Sequence, residues 1–152
     1  LLVHMNRYAK TYSRSAIFES DFTTQEDFIY LINLKSFGEM SKIDLIKLNV
    51  HEKPVGMQII NRLIAKNWID QTASKVDKRS KVIKINDNGI KILNNQMNKI
   101  RKATKVVCGN LTQHEKMELI RLLQKLDNFH QPIYNMNIEP IDLLNVASKH
   151  IK

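Results

Sequence analysis

The side chains with chemistry to offer lie between Lys53 and Lys84, in the stretch KPVGMQIINRLIAKNWIDQTASKVDKRSKVIK. Ile59, Ile60, Leu63 and Ile64 recur at helical spacing, and stepping 100° per residue puts Gly56 on the same apolar face. Pro54, Gln58, Asn61, Arg62 and Ala65 fall on the opposite face. Gln and Asn present a donor beside an acceptor, and Arg presents a planar fork of donors. Such groups can read planar polar edges: Gln and Asn pair with adenine and Arg with guanine, each good contact giving about 1–3 kcal/mol of discrimination. The short side chains on this face suit a groove. The bland reading of the same face is a solvated helix surface.

A second device follows directly. Trp68-Ile69-Asp70-Gln71-Thr72 and Lys81-Val82-Ile83-Lys84-Ile85 read as two short strands around the eight-residue connection ASKVDKRS. A basic hairpin behind a groove-sized helix is the pattern of a winged helix-turn-helix. Asp77, Lys78, Arg79 and Lys81 are the candidate wing residues. An Asp in such a turn can equally be bonding its own backbone, and Arg79 an exposed hairpin arginine.

Charge supports a polyanionic partner. The 152 residues carry a formal net charge of +9. Residues 1–40 hold four Lys/Arg against five Asp/Glu, residues 41–105 fifteen against five, and residues 106–152 five against five. The middle segment alone is therefore net +10, where a merely soluble surface would spread its lysines. Lys42, Lys47, Lys53 and Lys75 are candidate phosphate contacts, which position a protein on a duplex without reading it. A membrane partner is not expected, because no basic amphipathic helix or long apolar run stands out.

The remaining elements position this stretch. Leu2, Met5, Tyr8, Ala9, Tyr12 and Ala16 follow helical spacing. Thr23 with Glu26 reads as a capping box for a second helix carrying Phe28, Leu31 and Ile32 to about Leu34, with Gly38 at its exit. Ser41 and Asp44 repeat the spacing before Leu45, Ile46 and Leu48, a short third helix. The turn Asn49-Val50-His51-Glu52 then leads into the reader helix, where Pro54 suits the first turn. This is the helix-turn-helix order, although an ordinary helical hairpin would share its periodicity. Beyond the wing, Asn86 or Asp87 caps a long helix with Ile90, Leu93, Met97, Ile100, Thr104 and Val107 along one seam, ended by Gly109. Thr112 and Glu115 cap a further helix with Leu119, Leu122, Leu123 and Leu126, running to about Asn128. Residues 131–140 read as loop, and Ile141, Leu144, Ala147 and Ile151 as a last short helix. Two long apolar-striped helices exceed what a small reader head needs, and the surplus points to dimerisation together with the first helix.

These features resemble the multiple-antibiotic-resistance regulator (MarR) family of bacterial transcription factors. The resemblance rests on Asn-Arg-Leu-Ile-Ala-Lys-Asn-Trp-Ile at 61–69, on Asp77-Lys78-Arg79 and on Ile83-Lys84-Ile85-Asn86-Asp87-Asn88-Gly89. It covers residues 24–128, and departs from the family in lacking a Ser/Thr-rich start to the reader helix. It implies a mainly α fold with a small β-hairpin wing, in which a winged helix-turn-helix head joins a helical dimerisation region. The expected division is 1–20 for an N-terminal dimerisation helix, 23–86 for the head and 87–152 for the long helices and tail. It also implies that Arg79 enters the minor groove, that Asp77 braces the wing, and that Pro54, Gln58, Asn61 and Arg62 face the major groove.

The function so expected is a cytoplasmic homodimer on a pseudopalindromic operator in double-stranded DNA, a repressor released by a small-molecule inducer. The alternative is a winged-helix module binding an acidic protein or RNA. No enzyme is expected, since no nucleophile elbow, zinc-peptidase motif or phosphate-cradling glycine loop is present. No cofactor or metal is expected either, because His4, His51, His114, His130 and His150 include no pair at i,i+3 or i,i+4. Cys108 lacks a partner for an intrachain disulfide and reads as a small buried hydrophobe. The chain starts at Leu1 instead of a methionine, as a fragment would.

Overall fold

The computed structural model describes residues 1–76 and 80–151. Its elements run α1 (Leu2–Ile17), α2 (Gln25–Phe37), β1 (Met40–Ser41), α3 (Lys42–Leu48), α4 (Lys53–Ala65), β2 (Ile69–Ala73), β3 (Lys81–Ile85), α5 (Asp87–Cys108), α6 (Gln113–Asn135) and α7 (Pro140–Ser148). By compactness the chain divides after Gly109, into units Leu1–Gly109 and Asn110–Lys152.

In the first unit, α2 is the hub, packing on α1, α3, α4, α5 and β3. Its Tyr30, Leu31 and Leu34 are buried with Leu45 of α3, Ile60 and Leu63 of α4, Ile83 of β3 and Leu93 of α5. Phe22 joins the two ends of this core, meeting Phe28 and Trp68 edge to face at 6.1 and 5.2 Å. The sheet is antiparallel in the order β1-β3-β2, with Gln71 opposite Ile83 and Met40 on the other side of Ile83. The central strand thus holds its one fully buried residue, Ile83, between two partner strands. Strand β1 was not expected; two residues are too few for an alternating pattern, and the free edge of β3 supplies what holds them.

The caps follow local chemistry. Ser41 accepts the Asp44 N–H at 3.0 Å, and Asn86 accepts the Gly89 N–H at 3.0 Å. The box expected on Thr23 and Glu26 sits one residue later, on Thr24 and Asp27. A carboxylate at residue 27 can turn inward, where α4 offers it a cation, while residue 26 faces partly outward. Gly38 leaves α2 at φ 85°, a left-handed conformation that glycine adopts without strain.

In the second unit, α6 opens on the Thr112–Glu115 capping box, with the Thr112 N–H donating to Glu115 at 2.7 Å. That backbone bond, with the Thr112 hydroxyl bond behind it, holds the Glu115 carboxyl below its ordinary range. The helix does not stop near Asn128 but runs through Pro132 to Asn135. A proline in a helix interior removes one N–H bond and crowds the preceding turn, which is why the sequence reads as loop there, yet the remaining bonds carry the helix past it. Cys108, expected buried, is half-exposed as the last residue of α5. Among the described residues no helix is long and apolar enough to cross a membrane.

Candidate nucleic-acid interface

Helix α4 is placed by close approach on one side and by polar bonds on the other. Gly56 faces Ile46 of α3 so closely that a Cβ would overlap the isoleucine side chain. Ile59, Ile60 and Leu63 continue the buried face. The turn into α4 is held by Tyr30, whose hydroxyl meets His51 Nδ1 at 2.9 Å, and by Asn33, which donates to Asn49 at 2.8 Å. At the exit, Asn67 takes φ 55° and the Trp68 N–H returns to the Leu63 carbonyl at 3.1 Å, an αL cap that turns the chain straight into β2.

This geometry leaves Lys53, Pro54, Val55, Gln58 and Asn61 exposed along one side of α4. The Gln58 and Asn61 side chains make no hydrogen bond to any other residue among those described, so their amide donors and acceptors are open to a ligand. Arg62 differs from this set. Its guanidinium turns inward to Asp27, Nε at 2.9 Å and Nη2 at 2.5 Å, and reaches Thr24 Oγ1 at 3.3 Å. The physical reason is the buried carboxylate, which draws the nearest fork of donors away from the outer face. Helical spacing alone puts Arg62 beside Gln58; it does not show what lies behind either residue. Val55 was missed, because an isolated valine carries no polar signal, yet it is 44% exposed between Pro54 and Gln58.

Of the expected wing residues, Asp77, Lys78 and Arg79 lie outside the described residues. Strands β2 and β3 are joined past their ends by the Ser74 N–H, which donates to the Ser80 carbonyl at 2.9 Å. Lys75 and Lys81 flank it, both exposed. Lys42 and Lys47 are half-buried on α3. Helix α4 and the β2–β3 hairpin thus follow one another directly, joined by the αL exit at Asn67.

A cleft of about 430 Å³ opens beside α4, between it, α1 and the start of α2. Lys10 and Arg14 of α1 form one wall, and Val55, Gln58, Ile59 and Arg62 the other. The Lys10 and Arg14 side chains have no hydrogen-bond or ion-pair partner among the described residues, while Glu26, also lining the cleft, faces His51 at 3.8 Å.

A helix-turn-helix followed by a small three-stranded sheet, carried on a long α1/α5 pair, defines a winged-helix fold. No family model matches the chain. Among curated proteins it is 25% identical over 122 residues, 77% of each chain, to the HTH-type transcriptional repressor NicR of Pseudomonas putida. Its structural neighbours are MarR-family regulators. BpsR of Bordetella bronchiseptica, described for regulation of its DNA binding by 6-hydroxynicotinic acid, aligns with TM-score 0.75 and 20% identity over 83% of this chain and 89% of that one. A variant of MarR from E. coli in complex with operator DNA aligns with TM-score 0.73 and 21% identity over 82% and 90%. PcaV of Streptomyces coelicolor, bound to its natural ligand, aligns with TM-score 0.72 and 13% identity over 84% and 89%. The fold expected from the sequence is therefore the fold observed.

Proposed function

We propose that this protein is a cytoplasmic, homodimeric repressor, not an enzyme, that reads a pseudopalindromic operator in double-stranded DNA through α4 and the wing. The observation that carries this reading is the row of Gln58 and Asn61 amides, exposed and unbonded on a helix that is otherwise fixed in place. Gln58 and Asn61 face adenine edges in the major groove, and Val55 offers an apolar surface to a thymine methyl. Arg79 is the residue assigned to the adjacent minor groove, where narrow A·T tracts concentrate negative potential, with Asp77 as its brace. Lys42, Lys47, Lys53, Lys75, Lys78 and Lys81 contact phosphate.

Selection of bound sequences from a random duplex pool tests the reading. The recovered site is expected to be two-fold symmetric, with half-sites about one helical turn apart. Gln58→Ala is expected to relax preference at one base pair per half-site, by about 1–3 kcal/mol. Arg79→Ala is expected to weaken binding broadly. Binding that is weak and indifferent to sequence would instead favour a module for acidic proteins or RNA.

The homodimer reading is supported by apolar side chains that a single chain leaves exposed. Leu2, Val3, Met5 and Tyr8 of α1 are 44–70% exposed, and Met117, Leu119, Ile120, Leu122, Leu123 and Leu126 of α6 are 44–57% exposed. Runs of exposed apolar side chains along a helix, as on α1 and separately on α6, are the kind of surface used for association.

Release is assigned to a small organic acid in the cleft beside α4. Its volume is within the range of ligand pockets, Lys10 and Arg14 supply cations for a carboxylate, and Gln58 belongs both to the cleft wall and to the reading face. An inducer there takes Gln58 away from DNA, which gives the differential affinity that a population shift requires. With 6-hydroxynicotinate as the probe, operator release is expected at micromolar to millimolar concentration in the wild type. Arg14→Ala is expected to raise the concentration needed at least tenfold while leaving the operator affinity of the free protein within about twofold. Equal response in both proteins would remove the cleft from the mechanism.

A further inference from the structure

Arg62 in the last turn of α4 and Lys66, its C-cap, both reach back to residues 21–27. Asp27, which has no exposed surface, is the centre of this contact. One of its oxygens takes the Arg62 fork at 2.9 and 2.5 Å. The other takes the Thr23 N–H at 2.7 Å and the Thr24 N–H at 3.4 Å. Beside it, Lys66 donates to the Asp21 carbonyl and to Thr23 Oγ1, the latter at 3.0 Å, and lies over the Trp68 ring at 4.7 Å.

The close approach of Gly56 to Ile46 seats the apolar face of α4 on α3, but burial of Ile59, Ile60 and Leu63 is itself non-directional and leaves the fine roll of the helix to other contacts. Charge-assisted bonds are directional. On the helical wheel, Gln58 lies about 40° and Asn61 about 100° from Arg62, so a fixed Arg62 fixes where both amides point. We propose that Asp27 is a positioning residue for DNA reading: through Arg62 it sets the roll of α4 and hence the register of Gln58 and Asn61 in the groove. The assignment rests on α4 being the reader helix. It gives Arg62, the cation nearest the reading face, an internal role, and leaves base recognition to its uncharged neighbours.

The test is fluorescence anisotropy on the selected operator and on a scrambled duplex, at several salt concentrations, with thermal melts of each protein. The proteins are the wild type, Asp27→Asn, Arg62→Gln and the double variant. Each single variant is expected to lose at least tenfold in operator affinity, with scrambled-duplex affinity within about twofold and the salt slope unchanged. The double variant is expected to be no worse than the weaker single. If Arg62 contacted DNA itself, Asp27→Asn would leave operator affinity intact or raised, and Arg62→Gln would flatten the salt slope; either result overturns the proposal. A purely stabilising role would lower the melting temperature without changing the ratio of operator to scrambled affinity, and that too overturns it. Should Asp27→Asn fail to fold, Arg62→Gln and Arg62→Lys decide, since neither can form the fork, and retained selectivity in both sinks the idea. A wild type that selects no duplex defeats the DNA-binding reading and this proposal with it. A selective wild type beside an equally selective Asp27→Asn defeats this proposal alone.

Discussion

Leu123→Glu is expected to convert the protein from a dimer to a monomer and to reduce operator affinity by about 100-fold or more, with helical content unchanged. Leu123 is 44% exposed and stands among Leu119, Leu122 and Leu126 on one stripe of α6, so a carboxylate there meets water in a single chain. In a two-fold interface the change occurs twice. Removing a charge from water without a partner amounts to several kcal/mol, and the dimer contains two such charges. A monomer can engage one half-site only, which discards the phosphate contacts of the second head and their share of the salt dependence. Sedimentation velocity at micromolar concentration and anisotropy on the selected operator read both effects. A variant that sediments like the wild type while binding normally would remove α6 from the interface and leave α1 as the place to look.

Gly89→Ala is expected to lower stability by about 3 kcal/mol, and Gly56→Ala by about 1–2 kcal/mol, both within the range of overpacking changes. The two glycines meet different obstacles. A Cβ at Gly89 would overlap the carbonyl oxygen of Trp68 and approach Ile85 Cγ1 to 2.8 Å. That carbonyl already accepts the Asn86 N–H at 3.1 Å, and the Asn86 amide donates to the Asn67 carbonyl and to Asp70 at 3.2 and 2.9 Å. The exit of α4, the start of β2 and the start of α5 are therefore knotted at one point made of backbone, which cannot rotate aside. At Gly56 the obstacle is the Ile46 side chain, both of whose γ carbons lie within 2.9 Å of the new Cβ, so relief comes from a small separation of α3 and α4, and the gain in helix propensity, about 1 kcal/mol, offsets part of the strain. Melting temperature is expected to fall by about 10 °C for Gly89→Ala and by less than half of that for Gly56→Ala. Gly56→Ala should nevertheless weaken operator binding, since it pushes α4 away from α3. A Gly89→Ala protein melting with the wild type would show that the contact with Trp68 has room to relax.

Read from sequence, Gly89 belonged to a motif and to nothing else, while Gly56 was assigned to helix packing from its place on the wheel. The difference shows what is legible. Ile59, Ile60, Leu63 and Ile64 state a helix because its period is a local property. Ser41 with Asp44, Asn86, and Thr112 with Glu115 state its beginnings, because a cap is closed within four residues. Order along the chain then made the winged-helix arrangement readable, and the lysine count placed the excess charge around it.

Local pattern and composition thus determined the helices, the hairpin strands, the basic middle and the exposed polar face at Gln58 and Asn61. The tertiary structure decided everything that depended on a partner distant in sequence. Strand β1 exists because β3 has an edge to fill. Gly89 matters because the Trp68 carbonyl lies against it. Arg62 turns inward because Asp27, 35 residues earlier, is buried and must be paired. A periodic sequence says which side of a helix a residue occupies, but hydrogen bonds choose among the directions a long side chain can take from there, and those bonds come into being only when the chain has folded.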